Sequence, residues 1–352
     1  MENSWSFTEG LCGLWTFDAA SALEVARRFT GIPLVRGKFL TTDFEKTLWV
    51  DQHRTSASGR VKQSIYFFMR PVLSWYHTRS LSSRILNDSK PDLVIGPRGL
   101  PLETRRRWAT AHVKLAEATI LVQGTGTGWD VISWAALRPQ RIIATDLYAF
   151  EESWNAVAEH CKTRFGVDVE FRQAPLEDHS FLPNDSVDLC GSDAVFEHCR
   201  DLGSVLRETH RLLKPGGTLY SAHGPLWFGA SGDHFSGRGG IQHVFNHVLL
   251  EPDAYQQYFK SQIEAVENFQ SGGRYVELDL FSKLTTAEYL AKFGEAGFRV
   301  DSLILEVSPD SLAFKRQFPD RFAQLVQRWS GRCTPDDFLI KGNIVRLTKV
   351  VR

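Results

Sequence analysis

The chain has 352 residues, 43% hydrophobic and 12% aromatic, enough for one large α/β domain with additions or for two modest domains with sizeable cores. Lys and Arg total 41 and Asp and Glu total 41, so no overall field favours nucleic acid or an anionic membrane, and the expected partner is a small molecule. No apolar run reaches membrane-spanning length, and Met1-Glu2-Asn3-Ser4 has neither a basic start nor an apolar h-region, which makes the cytosol the expected location.

In chain order, residues 1–90 lack clean strand-helix alternation and are expected to form a mainly helical extension or lid. Helical segments are expected near Ala19 to Phe29 and over the aromatic run Ile65 to Tyr76, entered or kinked at Pro71. Aromatic density there suits packing against the main domain, with a substrate-lining lid as the alternative. Asn87 to Pro101 reads as a connector holding one short apolar run, Leu93-Val94-Ile95. Arg105-Arg106-Arg107 is read as the solvated face of a helix running to about Glu117, with Trp108, Ala111 and Leu115 on its buried face.

The chain is organised around the next stretch, Thr119-Ile120-Leu121-Val122-Gln123-Gly124-Thr125-Gly126-Thr127-Gly128-Trp129-Asp130. A β-branched apolar run that stops at three alternating glycines reads as a strand feeding a tight loop and then a helix, where backbone and helix dipole can approach an adenosyl ligand. About twenty residues on, a second strand from Arg141 to Thr145 ends in Asp146, a carboxylate placed to grip a ribose diol. Helices over Trp129 to Leu137 and Glu152 to Arg164 alternate with a strand from Val167 to Gln173, and a fourth strand runs from Val187 to Gly191. Ser192-Asp193-Ala194-Val195-Phe196-Glu197-His198 leaves that strand. An amphipathic helix then stops at Lys214-Pro215-Gly216-Gly217, and a fifth strand spans Thr218 to Ala222. Such alternation argues for a parallel, doubly wound sheet with its ligand at the carboxyl ends of the strands.

These residues together resemble the class I S-adenosylmethionine-dependent methyltransferases, in the broad small-molecule branch. The resemblance covers about Ala118 to Ala222 and resumes at Leu284 to Phe298, with a sixth strand at Arg299 to Val307 and a seventh, antiparallel one within Phe338 to Val350. It implies an α/β fold: a Rossmann-like, doubly wound, mostly parallel seven-stranded sheet. Residues 91–352 would form the methyltransferase domain, with an insertion at 223–282, after the fifth strand, forming a substrate cap. The implied cofactor is S-adenosylmethionine. Gly124, Gly126 and Gly128 would cradle it, Asp146 would hold its ribose, Leu147 would cover the adenine, Gln173 and Ala174 would edge the adenine, and Ser192 and Asp193 would lie near the methionine portion. Where the family commonly carries an acid two positions before the first loop glycine, this chain has Val122, so Gln123 or backbone groups are expected to take over that contact.

Methyl transfer from a sulfonium is an in-line displacement that depends on positioning, with a base needed only when the nucleophile must lose a proton. Imidazoles suit that task near neutral pH, and His234, then His223, then His198 are the candidate bases. His243 and His247 share a helical register but have no acidic partner completing a known pattern, and no metal is expected. The five cysteines, odd in number and without a Cys-x-x-Cys pair, offer neither a disulfide framework nor a zinc knuckle. The expected function is methyl transfer to an oxygen of a sugar-like or secondary-metabolite acceptor. The alternatives are a non-catalytic methyltransferase-like binding subunit and a nicotinamide-dependent oxidoreductase, the latter disfavoured because its third glycine would fall at Trp129.

Overall fold

The computed structural model describes residues 92–95, 102–128, 130–237, 240–267 and 280–350. The extension at 1–90, with its expected helices, lies outside the described residues. The strand β2, Thr119–Gln123, sits at the centre of the sheet because its side chains are apolar on both faces. Ile120 and Val122 enter one core with Trp108, Val131, Trp134 and Val157, while Leu121 enters the other with Leu206, Phe293 and Leu303. Period-two alternation thus divides one run between two helical layers.

Around β2 the chain builds β1 (Asp92–Ile95), α1 (Leu102–Ala109), α2 (Val131–Ala135), β3 (Arg141–Asp146), α3 (Glu151–Phe165) and β4 (Asp168–Gln173). Then come β5 (Val187–Asp193), α4 (Leu202–Leu212), β6 (Leu213–His223), α5 (Asn246–Leu249), α6 (Pro252–Glu267) and α7 (Thr286–Glu295). The chain closes with β7 (Phe298–Val307), α8 (Pro309–Gln317), α9 (Pro319–Arg328) and β8 (Ile340–Lys349). The eight strands lie in the order β1-β7-β8-β6-β5-β2-β3-β4. β2 pairs in parallel with β3 on one side and β5 on the other, so the winding reverses at β2 and opens a crevice beyond its carboxyl end. β8 runs antiparallel to both β6 and β7. No helix among the described residues is long and apolar enough to cross a membrane.

The sheet has one strand more than the seven expected. Leu93-Val94-Ile95, read as part of a connector, pairs in parallel with Leu305 to Val307 as an added edge. The helix of the arginine triplet ends at Ala109 rather than near Glu117, because the Thr110 hydroxyl bonds back to the carbonyls of Arg106 and Arg107 and competes with helix continuation. Ala111 is consequently exposed. Leu213 pairs with Val187 and Thr218 with Leu189, so the intervening Lys214 to Gly217 bulges from the ladder as the expected turn.

The described part of the segment after β6 docks on α8 and α9, two helices the sequence reading does not single out. Trp329 Nε1 donates to the Val248 carbonyl at 2.9 Å, and Arg321 Nη1 to that of Gln242 at 2.7 Å.

Candidate active site

The glycine loop leaves β2 in the left-handed region. Gly124 has φ +69°, and a Cβ there would lie 2.3 Å from Val195 Cγ2, so the loop touches the segment leaving β5 and only glycine fits. Gly126 has φ +50° with nothing within 4 Å of an added Cβ, which leaves an open surface above the loop. Asp146 fixes this loop. Its Oδ2 accepts from Gly126 N at 2.7 Å and its Oδ1 from Tyr148 N at 2.9 Å. Each oxygen keeps lone-pair capacity for a ligand hydroxyl. From the other side Trp154 Nε1 donates to the Gly126 carbonyl at 2.7 Å and stacks on Phe171 at 5.3 Å. Phe171 in turn lies 2.9 Å from a Cβ placed on Gly128.

Beyond Asp146, Leu147 is 48% exposed and free to cover a flat apolar ring. Gln173 Nε2 donates to the Leu147 carbonyl at 3.0 Å and Ala174 N to that of Asp146 at 2.9 Å, so the end of β4 is tied to the end of β3. Gln123 is buried, its amide against α4, with Nε2 donating to Thr209 Oγ1 at 3.1 Å. Alternation turns position 123 to the face opposite Val122, away from the crevice.

Charge enters the site from elements that the sequence reading assigned elsewhere. Arg106 is fully buried, not on a solvated face, and its Nη1 reaches Asp193 Oδ2 at 2.6 Å, while Arg105 Nη1 reaches Asp193 Oδ1 at 3.1 Å. Of the triplet only Arg107 is exposed. Tyr220 OH donates to Asp193 Oδ1 at 2.9 Å, and the Arg106 guanidinium lies 4.1 Å over the Trp134 ring. Burial lifts the Asp130 carboxyl to about 6, with the Asp193 charge adding to the rise and Arg106 opposing it. Val122 pairs with Gly191, so Asp193, one pleat further along β5, is the acid standing on the face where the family's carboxylate is replaced.

On the other side of Val195, Ala194 at φ +55° turns the chain out of β5 and presents Glu197 and His198. Glu197 is 1% exposed. Its Oε1 accepts from Gly224 N at 3.0 Å, and burial raises its carboxyl to about 8, helped by Asp193. The His198 and His234 rings lie 4.8 Å apart, both against Phe281. Burial, then the neighbouring His234, holds His198 down at about 4. Partial desolvation beside His198 and Phe281 also lowers His234, whose residue keeps exposed surface and sits at φ +66° in a loop pinned by Asp233. His223 is elsewhere in character. It is buried under Phe196, Tyr289 and Phe293, its Nδ1 meets Ser221 Oγ at 3.0 Å, and burial drops it to about 3. His243 and His247 do not converge. His247 is saturated by Ser236 Oγ and the Trp227 carbonyl, while His243 stacks on Tyr258.

Residues 121–221, from within β2 to within β6, match the family model described as a methyltransferase domain. Over these residues the chain carries a methyltransferase domain. A stretch of 117 residues is 33% identical to the ubiquinone biosynthesis O-methyltransferase of Pseudomonas syringae pv. tomato, covering 33% of this chain and 48% of that protein. A stretch of 120 residues is 33% identical to the malonyl-[acyl-carrier protein] O-methyltransferase of Yersinia pestis, covering 34% and 42%. The chain spans about half the length of the curated relatives it matches. Among solved structures it is similar to the YcgJ protein of Bacillus subtilis, with TM-score 0.41 and 16% identity over 71% of this chain and 98% of that one.

The crevice of the methyltransferase domain fits S-adenosylmethionine on its own chemistry. The amino-acid end of that cofactor is a zwitterion, and the polar atoms buried without a hydrogen-bond partner include Arg105 Nε, Arg106 Nη2, Asp130 Oδ1 and Ser192 Oγ. Buried polar groups left open in this way call for a ligand, and donors for a carboxylate stand here beside acceptors for an ammonium. None of Arg105, Arg106 or Asp130 belongs to the glycine-loop pattern, which is why sequence spacing did not reveal them.

Proposed function

We propose that this protein transfers the methyl group of S-adenosylmethionine to an oxygen of a small-molecule acceptor. The observation that carries this reading is the pair of chemistries meeting at Val195: the glycine loop with Asp146 and the Asp193 ion cluster on one side, Glu197, His198 and His234 on the other.

When bound, the cofactor supplies an electrophilic methyl on a sulfonium. The chain's residues do the rest by placement. Asp146 receives the ribose hydroxyls and Leu147 lies along the adenine. Arg105 and Arg106 receive the carboxylate, with Asp193 and Asp130 facing the ammonium. The acceptor hydroxyl is placed among Glu197, His198 and His234, where neutral imidazoles receive its proton as the new O–C bond forms. With the cofactor bound, the electron pair of its S–C bond would stay on sulfur, and the chain's own part is to hold the acceptor in line with it. His223, closed off by three aromatic rings, supports the end of β6 instead of contacting the acceptor. The described residues of the insertion after β6 carry His234 and form the acceptor side, the role of a cap.

The oxygen acceptor is favoured by the names of the relatives, both O-methyltransferases. Calorimetric titration with S-adenosylhomocysteine tests the cofactor. One equivalent should bind, and Asp146→Ala should weaken it at least about tenfold, given about 1.5–3 kcal/mol for a hydrogen bond to a charged group. Undiminished binding by Asp146→Ala rejects this site.

A further inference from the structure

The cluster at the acceptor side contains more than a base requires. Glu197, His198 and His234 each offer one ligand atom, and these atoms lie within 4.8 Å of one another. Two of the three side chains are left incomplete. Glu197 Oε2 and His198 Nδ1 are buried with no hydrogen-bond partner. Glu197 is 1% exposed, and no Lys or Arg pairs with it among the described residues. Ionised, a carboxylate in that position would need a positive charge beside it, since buried charges are paired or coordinate metals.

We propose that Glu197, His198 and His234 bind a divalent transition-metal cation, with Zn2+ or Co2+ as the matching probes. Two imidazoles and one carboxylate form the mixed nitrogen and oxygen set that suits such ions and leaves a coordination position open for a further ligand. Hard, oxygen-preferring Mg2+ is the weaker match. Tetrahedral donors at about 2.0–2.2 Å from zinc stand about 3.4 Å from one another, so the ligand atoms, now within 4.8 Å of one another, must draw together by up to about 1.4 Å. His234 has the freedom to supply that movement, since its residue is exposed while Glu197 is buried.

The support behind the ligands is already built. Asp233 accepts from Ser236 N at 2.8 Å, Ser236 Oγ at 2.9 Å and Tyr255 OH at 2.8 Å, and it faces His247 Nδ1 at 3.7 Å. This buried knot fixes the turn that holds His234 at φ +66°, a conformation costly for a residue with a Cβ and retained where the surroundings enforce it. Glu197 Oε1 is oriented by Gly224 N, and the Glu197 carbonyl accepts from Ser282 N at 2.9 Å. Such outer contacts orient metal ligands.

The role of the cation rests on the methyl-transfer reading and would replace proton uptake by the two imidazoles, whose basic lone pairs the cation would occupy: its open position would take the acceptor oxygen, and its charge would lower that hydroxyl's pKa so that the proton passes to water. The site itself does not depend on that reading. The test is therefore binding without cofactor. The full chain, stripped with a chelator, is titrated with Zn2+ by calorimetry and with Co2+ by visible absorption. One equivalent should bind, with Co2+ bands of low-symmetry coordination. His234→Ala and Glu197→Gln should each weaken binding at least about tenfold, the lower bound seen even for outer contacts, and His112→Ala, an exposed control, should leave it unchanged. Because His234 is exposed, circular dichroism of His234→Ala should match the parent chain. Absence of stoichiometric binding, or binding unmoved by both ligand substitutions, overturns the proposal. Separate titration with S-adenosylhomocysteine reports on the methyl-transfer reading alone: metal binding without homocysteine-nucleoside binding rejects that reading and keeps the metal site.

Discussion

Asp130 shows how much of this site is set by burial. Its carboxyl lies at about 6 against an ordinary 3.8 because burial disfavours the charged form and Asp193 adds repulsion, only partly opposed by Arg106. Proton counting sets the sign of the stability effect. Between those two values the folded chain holds a proton that the unfolded chain has lost, so stability contributed by protonated Asp130 is fully present below 3.8, falls as pH rises, and is gone above about 6. Asp130→Asn should therefore be more stable than the parent at pH 8, by up to about 3 kcal/mol at 1.36 kcal/mol per unit, with the advantage vanishing near pH 4. Urea unfolding midpoints measured across that range decide it, and parallel curves for the two proteins contradict the assignment. The organising stretch ends on this residue, yet nothing in its spacing marks it as a site group. Its environment comes from Arg106 and Asp193, 24 residues before it and 63 after it, brought together only by the sheet.

Elements were more legible than side-chain roles, for physical reasons that differ from case to case. β2, β3, β5, β7 and β8 fall close to their expected bounds because each carries a run of apolar residues buried on both faces or ended by Gly or Asp. β1 was read as connector because four residues between prolines carry little periodicity, and its pairing partner Leu305 lies 212 residues beyond Leu93. α8 and α9 had readable signals, Ser308 and Pro319 at their starts, and both lay in the gap between the resemblance's sixth and seventh strands. α7 gives an element-scale prediction. Its capping box pairs Thr285 Oγ1 with Glu288 N at 3.3 Å and Glu288 Oε2 with Thr285 N at 2.7 Å, and the helix sets Tyr289 4.5 Å from the His223 ring. Thr285→Ala removes one half of the box and should cost about 0.5–2 kcal/mol, a loss visible as a few degrees in melting temperature. A variant melting with the parent would mean that tertiary packing alone holds the start of α7.

At the scale of the whole molecule, the order of elements along the chain was legible while the pairing of distant segments was not. The alternation from Thr119 to Ala222 predicted a doubly wound sheet with its crevice at the glycine loop, and the sheet switches there. The contribution of α1 to that crevice through Arg105 and Arg106 was hidden, because a basic triplet on a helix has the same pattern whether it faces water or an aspartate. This arrangement makes cofactor binding a property of the fold as a whole. The crevice is bounded by the loop after β2, the ends of β3, β4 and β5, and α1, so a ligand seated in it joins segments that meet nowhere else in sequence. A ligand that binds only the folded state stabilises it by RT ln(1 + [L]/Kd), about 2.7 kcal/mol at a hundredfold excess over Kd. Differential scanning calorimetry with S-adenosylhomocysteine at that excess should raise the melting temperature by several degrees, at about 2–4 °C per kcal/mol for domains somewhat smaller than this one. At the same ligand concentration Asp146→Ala, bound at least about tenfold more weakly, should lose about half of that increment, since each tenfold in affinity is worth about 1.4 kcal/mol. Equal increments in the two proteins would place the ligand outside the crevice that Asp146 borders.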